Sequence, residues 1–246
     1  MAHEVAHALQ DHRVPLRDVY ARSATYEEHV LRKCLFEGEA ELRMLALALA
    51  VEGIDVASAD PDWCAAELER LFGRAPPSFY DAGFAYLLGE LRAGGWRAVD
   101  RAVLDPRVTT RDLLAGESAG AAPGPIALPG WPEEAAVEYA WEDVVGAWGM
   151  LGILGGDYPD PGELEPLRAL LLRWRGDRLA VARRADGVCL AAWRIVLADE
   201  ESARALVPWF RGAEGTVLQR GSSVDFAWSP VPALQQALIE RLDAGR

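Results

Sequence analysis

Several things are scarce in this chain of 246 residues. Lysine occurs once, at Lys33, so the basic side chains are almost all arginine. Lys and Arg together number 25 against 38 Asp and Glu, a formal net charge of −13. A surface that acidic repels phosphate backbones, which argues against nucleic acid as a partner. Cysteine is limited to Cys34, Cys64 and Cys189, odd in number and far apart. With no C-x-x-C pair, these read as small buried hydrophobes and not as a disulfide, redox or metal framework. No apolar run approaches the roughly 20 residues that a bilayer requires. The longest, Met44 to Val51, follows a charged segment, so no membrane partner is expected. No charged-then-apolar leader is visible. The expected location is cytoplasmic, or exported and in the cell envelope if a segment preceding Met1 has been lost. Phosphate loops, dinucleotide fingerprints and the Gly-x-Ser-x-Gly nucleophile element are also missing.

Histidine is scarce too, and here the distribution carries information. There are four in all, and His3, His7 and His12 fall within the first twelve residues. The run His3-Glu4-Val-Ala-His7 is an H-E-x-x-H element. On a helix, positions four apart are separated by about 40° around the axis, so His3 and His7 project from one face. Two imidazoles so placed reach a single Zn²⁺ at about 2.0–2.1 Å. Glu4 lies one step round the helix, placed to take a proton from a metal-bound water as general base. A catalytic zinc needs a third protein ligand and one open position, and His₂Glu is a known set. The segment Cys34-Leu-Phe-Glu37-Gly38-Glu39-Ala40-Glu41 offers Glu37 as that ligand, with Gly38 allowing close approach of its helix to the metal. Glu41, one turn later, and Asp11 are candidates to hydrogen-bond the outer nitrogens of the ligating imidazoles.

The motif His3-Glu-Val-Ala-His-Ala-Leu-Gln-Asp11, followed by Leu35-Phe-Glu-Gly-Glu-Ala40, resembles an uncharacterised prokaryotic family of zinc-metallopeptidase-like proteins, whose members read close to H-E-L-T-H-A-L-Q-D-Q and then E-G-D-A. The similarity continues through Tyr80-Asp-Ala-Gly-Phe84 and Gly94-Gly-Trp-Arg-Ala-Val-Asp100, and more loosely at Trp174-Arg-Gly-Asp-Arg178. The resemblance implies a gluzincin-like site with His3, His7 and Glu37 on zinc, Glu4 as base and a peptide or protein as substrate. It also makes Tyr80 a candidate pocket phenol, able to hydrogen-bond an oxyanion. Members of that family carry a substantial segment before the H-E-x-x-H helix, whereas only Met1-Ala2 precede it here. Since a first helical turn is prone to fray and an upstream strand helps hold peptide substrates, the expectation includes an enzyme inactive as written. The rival reading is a non-catalytic binding or assembly module of the same fold.

Composition, at 51% hydrophobic and 26% charged residues, is that of a globular protein with room for one large or two small domains. Three regions are expected. Residues 1–115 form a helical metallopeptidase-like region. Residues 116–133 are a Gly/Pro/Ala-rich linker, and 134–246 an α+β region. In the first, Asp11 to Ser23 reads as a polar connection. A long helix follows from about Thr25 to Glu52, stopped by Gly53 and buried all round at Met44–Val51. Further helices are expected over 60–72, 78–93 and 96–104, with another capped by Thr109. In the last region, helices are expected over 134–154 and 164–174, then hairpins around Asp186-Gly187 and Gly221, each followed by a helix. The fold class is therefore α+β and mostly helical: an H-E-x-x-H helical half, then a small C-terminal antiparallel sheet with helices.

Overall fold

Thr25 sets the start of the element around which the first half is built. Its hydroxyl accepts from the Glu28 backbone N–H at 3.1 Å, while the Glu28 carboxylate accepts from the Ala24 N–H, two orphan donors satisfied at one helix start. The helix so begun runs Tyr26–Val51 in the computed structural model, which describes residues 2–60, 62–64, 66–67, 79–116, 124–156 and 161–244. The chain divides into two units, Met1–Gly120 and Ala121–Arg246.

The first unit is helical. Helices α1 (Ala2–Arg13), α2 (Leu16–Ala21), α3 (Tyr26–Val51), α4 (Phe79–Gly94), α5 (Trp96–Leu104) and α6 (Thr110–Ala115) are joined by short turns or by residues outside the described set. The spine is α3, which packs against α1, α4 and α5. Its core face buries Leu31, Cys34, Leu35, Leu42, Leu45 and Leu49, and α4 adds Phe84, Leu87 and Leu88. The two helices touch backbone to backbone at Gly38 and Gly83: a Cβ on Gly83 would lie 1.9 Å from the Cys34 carbonyl oxygen. Glycine is required there because nothing larger than hydrogen fits. At α6, Thr109 and Asp112 form a reciprocal capping box. Buried Glu27 accepts from both the N–H and the hydroxyl of Thr110.

Two expectations for this unit are corrected. The stretch 11–23 contains the end of α1 and all of α2, because Asp11 accepts from the Leu16 N–H at 2.9 Å and so starts a new helix instead of a loop. Met44–Val51 is not buried all round: Leu45 and Leu49 are, but Leu47 and Val51 are exposed, since neighbours cover only one face of α3. Of the helix expected over 60–72, residues 62–64 and 66–67 are helical; the rest of it past Asp60 and the Pro76-Pro77 break lie outside the described residues.

The second unit is a five-stranded antiparallel sheet with helices. Its strands are β1 (Val137–Asp143), β2 (Trp174–Arg184), β3 (Cys189–Leu197), β4 (Thr216–Arg220) and β5 (Ser223–Trp228), in the order β1-β2-β3-β5-β4. Helices α7 (Gly146–Gly155), α8 (Pro161–Leu171), α9 (Glu200–Leu206) and α10 (Pro232–Ala244) complete it. Leu190 and Ala192 of β3 and Ala227 of β5 pack under Leu234, Leu238 and Leu242 of α10. Both expected hairpins form, with Gly187 and Gly221 at φ 85° and 53°.

The helix expected over 134–154 is corrected. Residues 137–143 are an edge strand, and helix begins only at Gly146. Val137, Tyr139 and Trp141 alternate with polar or small residues, and Trp141 pairs with Val181 of β2; pairing with a remote strand decides between two periods that the local pattern allows. The helix expected to reach Trp174 ends at Leu171, and Trp174 opens β2. Mostly helical α+β is the observed class. Among the described residues, no helix is long and apolar enough to cross a membrane.

Candidate metal centre

Helix α1 lies on α3 through Ala6 and Gln10, the two residues it buries. With those positions against α3, the turns carrying His3 and His7 point at the same partner. The rings of His3 and His7 meet edge to face with centroids 4.6 Å apart. Glu37 of α3 completes a triangle: His3 Nε2 to His7 Nε2 is 3.0 Å, His7 Nε2 to Glu37 Oε2 is 3.2 Å, and His3 Nε2 to Glu37 Oε2 is 3.3 Å. All three side chains are partly shielded, at 18%, 24% and 17% exposure for His3, His7 and Glu37. They are thus screened from bulk water yet reachable. These three form a group able to hold a metal ion among the described residues.

The spacing suits a metal. Two ligand atoms each about 2.0–2.1 Å from a tetrahedral zinc stand about 3.3 Å apart, close to the three observed separations. The donor chemistry suits it as well, since two imidazole nitrogens and one carboxylate oxygen are a recognised zinc set.

The other expected site residues are placed as follows. Glu4 is exposed on α1 beside His3. Tyr80, at the start of α4, lies next to the triad, its ring centroid 6.5 Å from that of His3 and tilted by 45°. Glu41 is one turn beyond Glu37 but wholly buried. The outer nitrogen of His7 meets Gln10 instead: His7 Nδ1 is 2.7 Å from Gln10 Oε1. Asp11 is exposed and spends its carboxylate on the start of α2. Gly38 serves the crossing with α4, where its Cα meets the backbone of Gly83.

Two residues were not anticipated. Gln10 is one, buried at 2% exposure and joined to Phe36, Glu39 and His7. Tyr20 is the other. It packs against Phe36 with ring centroids 6.0 Å apart, and its phenol is pushed up to about 12, mainly by burial and next by the Glu37 carboxylate. Its ring also lies 5.2 Å from that of His29, so Tyr20 packs α2 onto α3 near the helix turn that carries Glu37. Foreseeing it required α2, which the polar, Pro-containing stretch 11–23 does not announce. Beneath the site, wholly buried Glu39 accepts from Arg13 at 2.8 and 2.9 Å and from Arg43 at 2.8 Å, and Asp100 of α5 binds both arginines on their other side. This cluster ties the last turn of α1 to α3 and thereby holds the imidazoles over Glu37.

No protein-family model, no curated protein and no solved structure matches this chain.

Proposed function

We propose that His3, His7 and Glu37 hold a zinc ion and that the protein is a zinc-dependent hydrolase of the metallopeptidase type. The observation that supports this reading is the meeting of three ligand atoms, from two helices, at separations of 3.0 to 3.3 Å. Bound there, zinc polarises a carbonyl and lowers the pKa of its water toward about 7. The protein's own contribution is positional. Glu4, next to His3 and open to solvent, is the group to accept a proton at its carboxylate and pass it to a leaving amine. Tyr80 lies beside the triad on α4 and is the donor available to a developing oxyanion. A peptide or protein is the substrate class that the resemblance of the H-E-x-x-H and E-G-E-A motifs implies.

Metal analysis of purified protein tests it. One zinc per chain is expected, lost in His3→Ala and Glu37→Ala and kept in Glu4→Gln, which abolishes hydrolysis of a mixed peptide library. Protein that purifies metal-free and takes up no added zinc overturns the metal centre. Zinc held by the wild type without any turnover overturns the hydrolase and assigns the non-catalytic role.

A further inference from the structure

Gln10 is the only side chain of α1 that is polar and fully buried, and its three contacts are not interchangeable. The amide nitrogen lies 2.8 Å from the Phe36 carbonyl oxygen and 2.9 Å from Glu39 Oε2. Both of those atoms can only accept, because Glu39 is bracketed by the guanidinium groups of Arg13 and Arg43. Turning the carboxamide over would set its oxygen against two other oxygens at hydrogen-bond distance, so its donor end is fixed on that side. Its acceptor end is then fixed on the other, 2.7 Å from His7 Nδ1. An acceptor that close requires a proton on Nδ1. A neutral imidazole carries one ring proton, and the 2.7 Å contact with Gln10 claims it over the longer 3.2 Å contact between Nε2 and Glu37 Oε2; Nε2 of His7 then keeps its lone pair, 3.0 Å from His3 Nε2, which can donate to it.

We propose that Gln10 is a positioning residue that locks His7 in the Nδ1–H tautomer, with the lock anchored on the Phe36 carbonyl and on Glu39. The consequence for the site is direct. A metal accepts only an unprotonated nitrogen, so the tautomer that Gln10 enforces is the one that ligates through Nε2 without first moving a proton. The lock also sets the ring's rotation, because Nδ1 and Nε2 sit on opposite sides of the imidazole and fixing one aims the other. The role differs from that of the Arg13–Glu39–Arg43 cluster, which holds the helix; Gln10 holds the ring.

The metal half of this inference rests on the proposed zinc centre, while the tautomer half does not, so the experiment reads them separately. Long-range ¹H–¹⁵N spectra of the histidine-labelled, metal-free protein, taken where the imidazoles are neutral, should show His7 predominantly as the Nδ1–H form. Gln10→Met, near in shape but with no amide, should lose that preference and bind zinc about 10- to 100-fold more weakly by chelator competition. Its thermal midpoint, measured alongside, separates loss of the lock from loss of the fold. A wild-type spectrum dominated by the Nε2–H form overturns the proposal whether or not the variant folds. So does a folded Gln10→Met protein whose zinc affinity is unchanged. If the wild type takes up no zinc but His7 shows the Nδ1–H form, the lock stands and the metal reading falls.

Discussion

In the helical unit, the groups that hold the buried charge of Glu39 lead outward to a place where three ligand atoms meet. In the sheet unit, the buried charges are held by groups that lead back into the fold. Asp177 accepts from the Val145 and Gly146 N–H groups and from the Trp193 indole, each at 2.9 Å; it starts α7 and pins β3 to it. Arg194 and Asp225 pair side by side at 2.7 and 3.1 Å, and the guanidinium also donates to the carbonyls of Leu242 and Ala127. Every strong polar group in these arrangements ends on another that the fold itself supplies. The chain Asp100–Arg13–Glu39–Gln10–His7 instead ends at His3 and Glu37, partly open to solvent. A closed network specifies structure, whereas one that delivers oriented lone pairs to a shared point prepares a ligand site.

The harshest test of that contrast is Gly83→Ala. The new Cβ would stand 1.9 Å from the Cys34 carbonyl oxygen, and neither backbone can yield without separating α3 from α4. Overpacking of this kind costs up to about 3 kcal/mol or more, and the roughly 1 kcal/mol that alanine returns through helix propensity does not offset it. Because α3 carries Glu37 and α4 carries Tyr80, zinc uptake should fall along with the denaturation midpoint. A variant as stable as the wild type would show that the crossing is looser than its geometry implies.

Asp177→Ala is the counterpart in the sheet unit. It strands two backbone N–H groups and an indole N–H that are buried in the native fold, each worth roughly 1–3 kcal/mol if left unpaired. Part of that is recovered, since burial, the largest influence on Asp177, raises its pKa against the hydrogen bonds it accepts, which means that the charge is costly to keep there. A net loss of about 2 kcal/mol in chemical denaturation is expected, with zinc uptake unchanged. Zinc lost in this variant would break the distinction between a prepared site and a structural network.

How far this was legible in the residues depends on how local each determinant is. The bounds of α3 come from neighbours in sequence, Thr25 with Glu28 at one end and Gly53 at φ 76° just beyond the other. The hairpins are equally local. The pairing of His3 with His7 follows from helix geometry alone, and Glu37 from the requirement for a third ligand. Strand β1 was hidden because Trp141, Val145 and Trp148 also fit a helical spacing, and the arbiter is β2, some forty residues away. Gln10 was hidden for a related reason: one of its partners is a backbone carbonyl and another a carboxylate on α3, neither visible as a motif. Glu41 shows the limit of counting turns. It shares a side of α3 with Glu37, yet it is wholly buried where Glu37 is only partly so.

The smallest expected effect sharpens the comparison at the surface, where the sheet unit does carry a charge that titrates usefully. Asp199 caps α9, accepting from the Ser202 N–H at 2.8 Å and from Arg173 at 2.6 Å. Those hydrogen bonds, the one from Arg173 first, hold its carboxyl down at about 2 against an ordinary 3.8. A folded-state pKa below the unfolded value means that the unfolded chain binds the proton first as the solution is acidified. The stabilisation is therefore complete above pH 3.8 and is lost as pH falls through about 2. Asp199→Asn keeps the cap, asparagine being as good as aspartate there, and removes only the charge facing Arg173. Denaturation midpoints of the two proteins should accordingly differ above that window and converge within it, with the gap narrowing in high salt because the pair is exposed. Parallel curves from neutral pH down to that limit would mean that the cap, and not the ion pair, holds the start of α9.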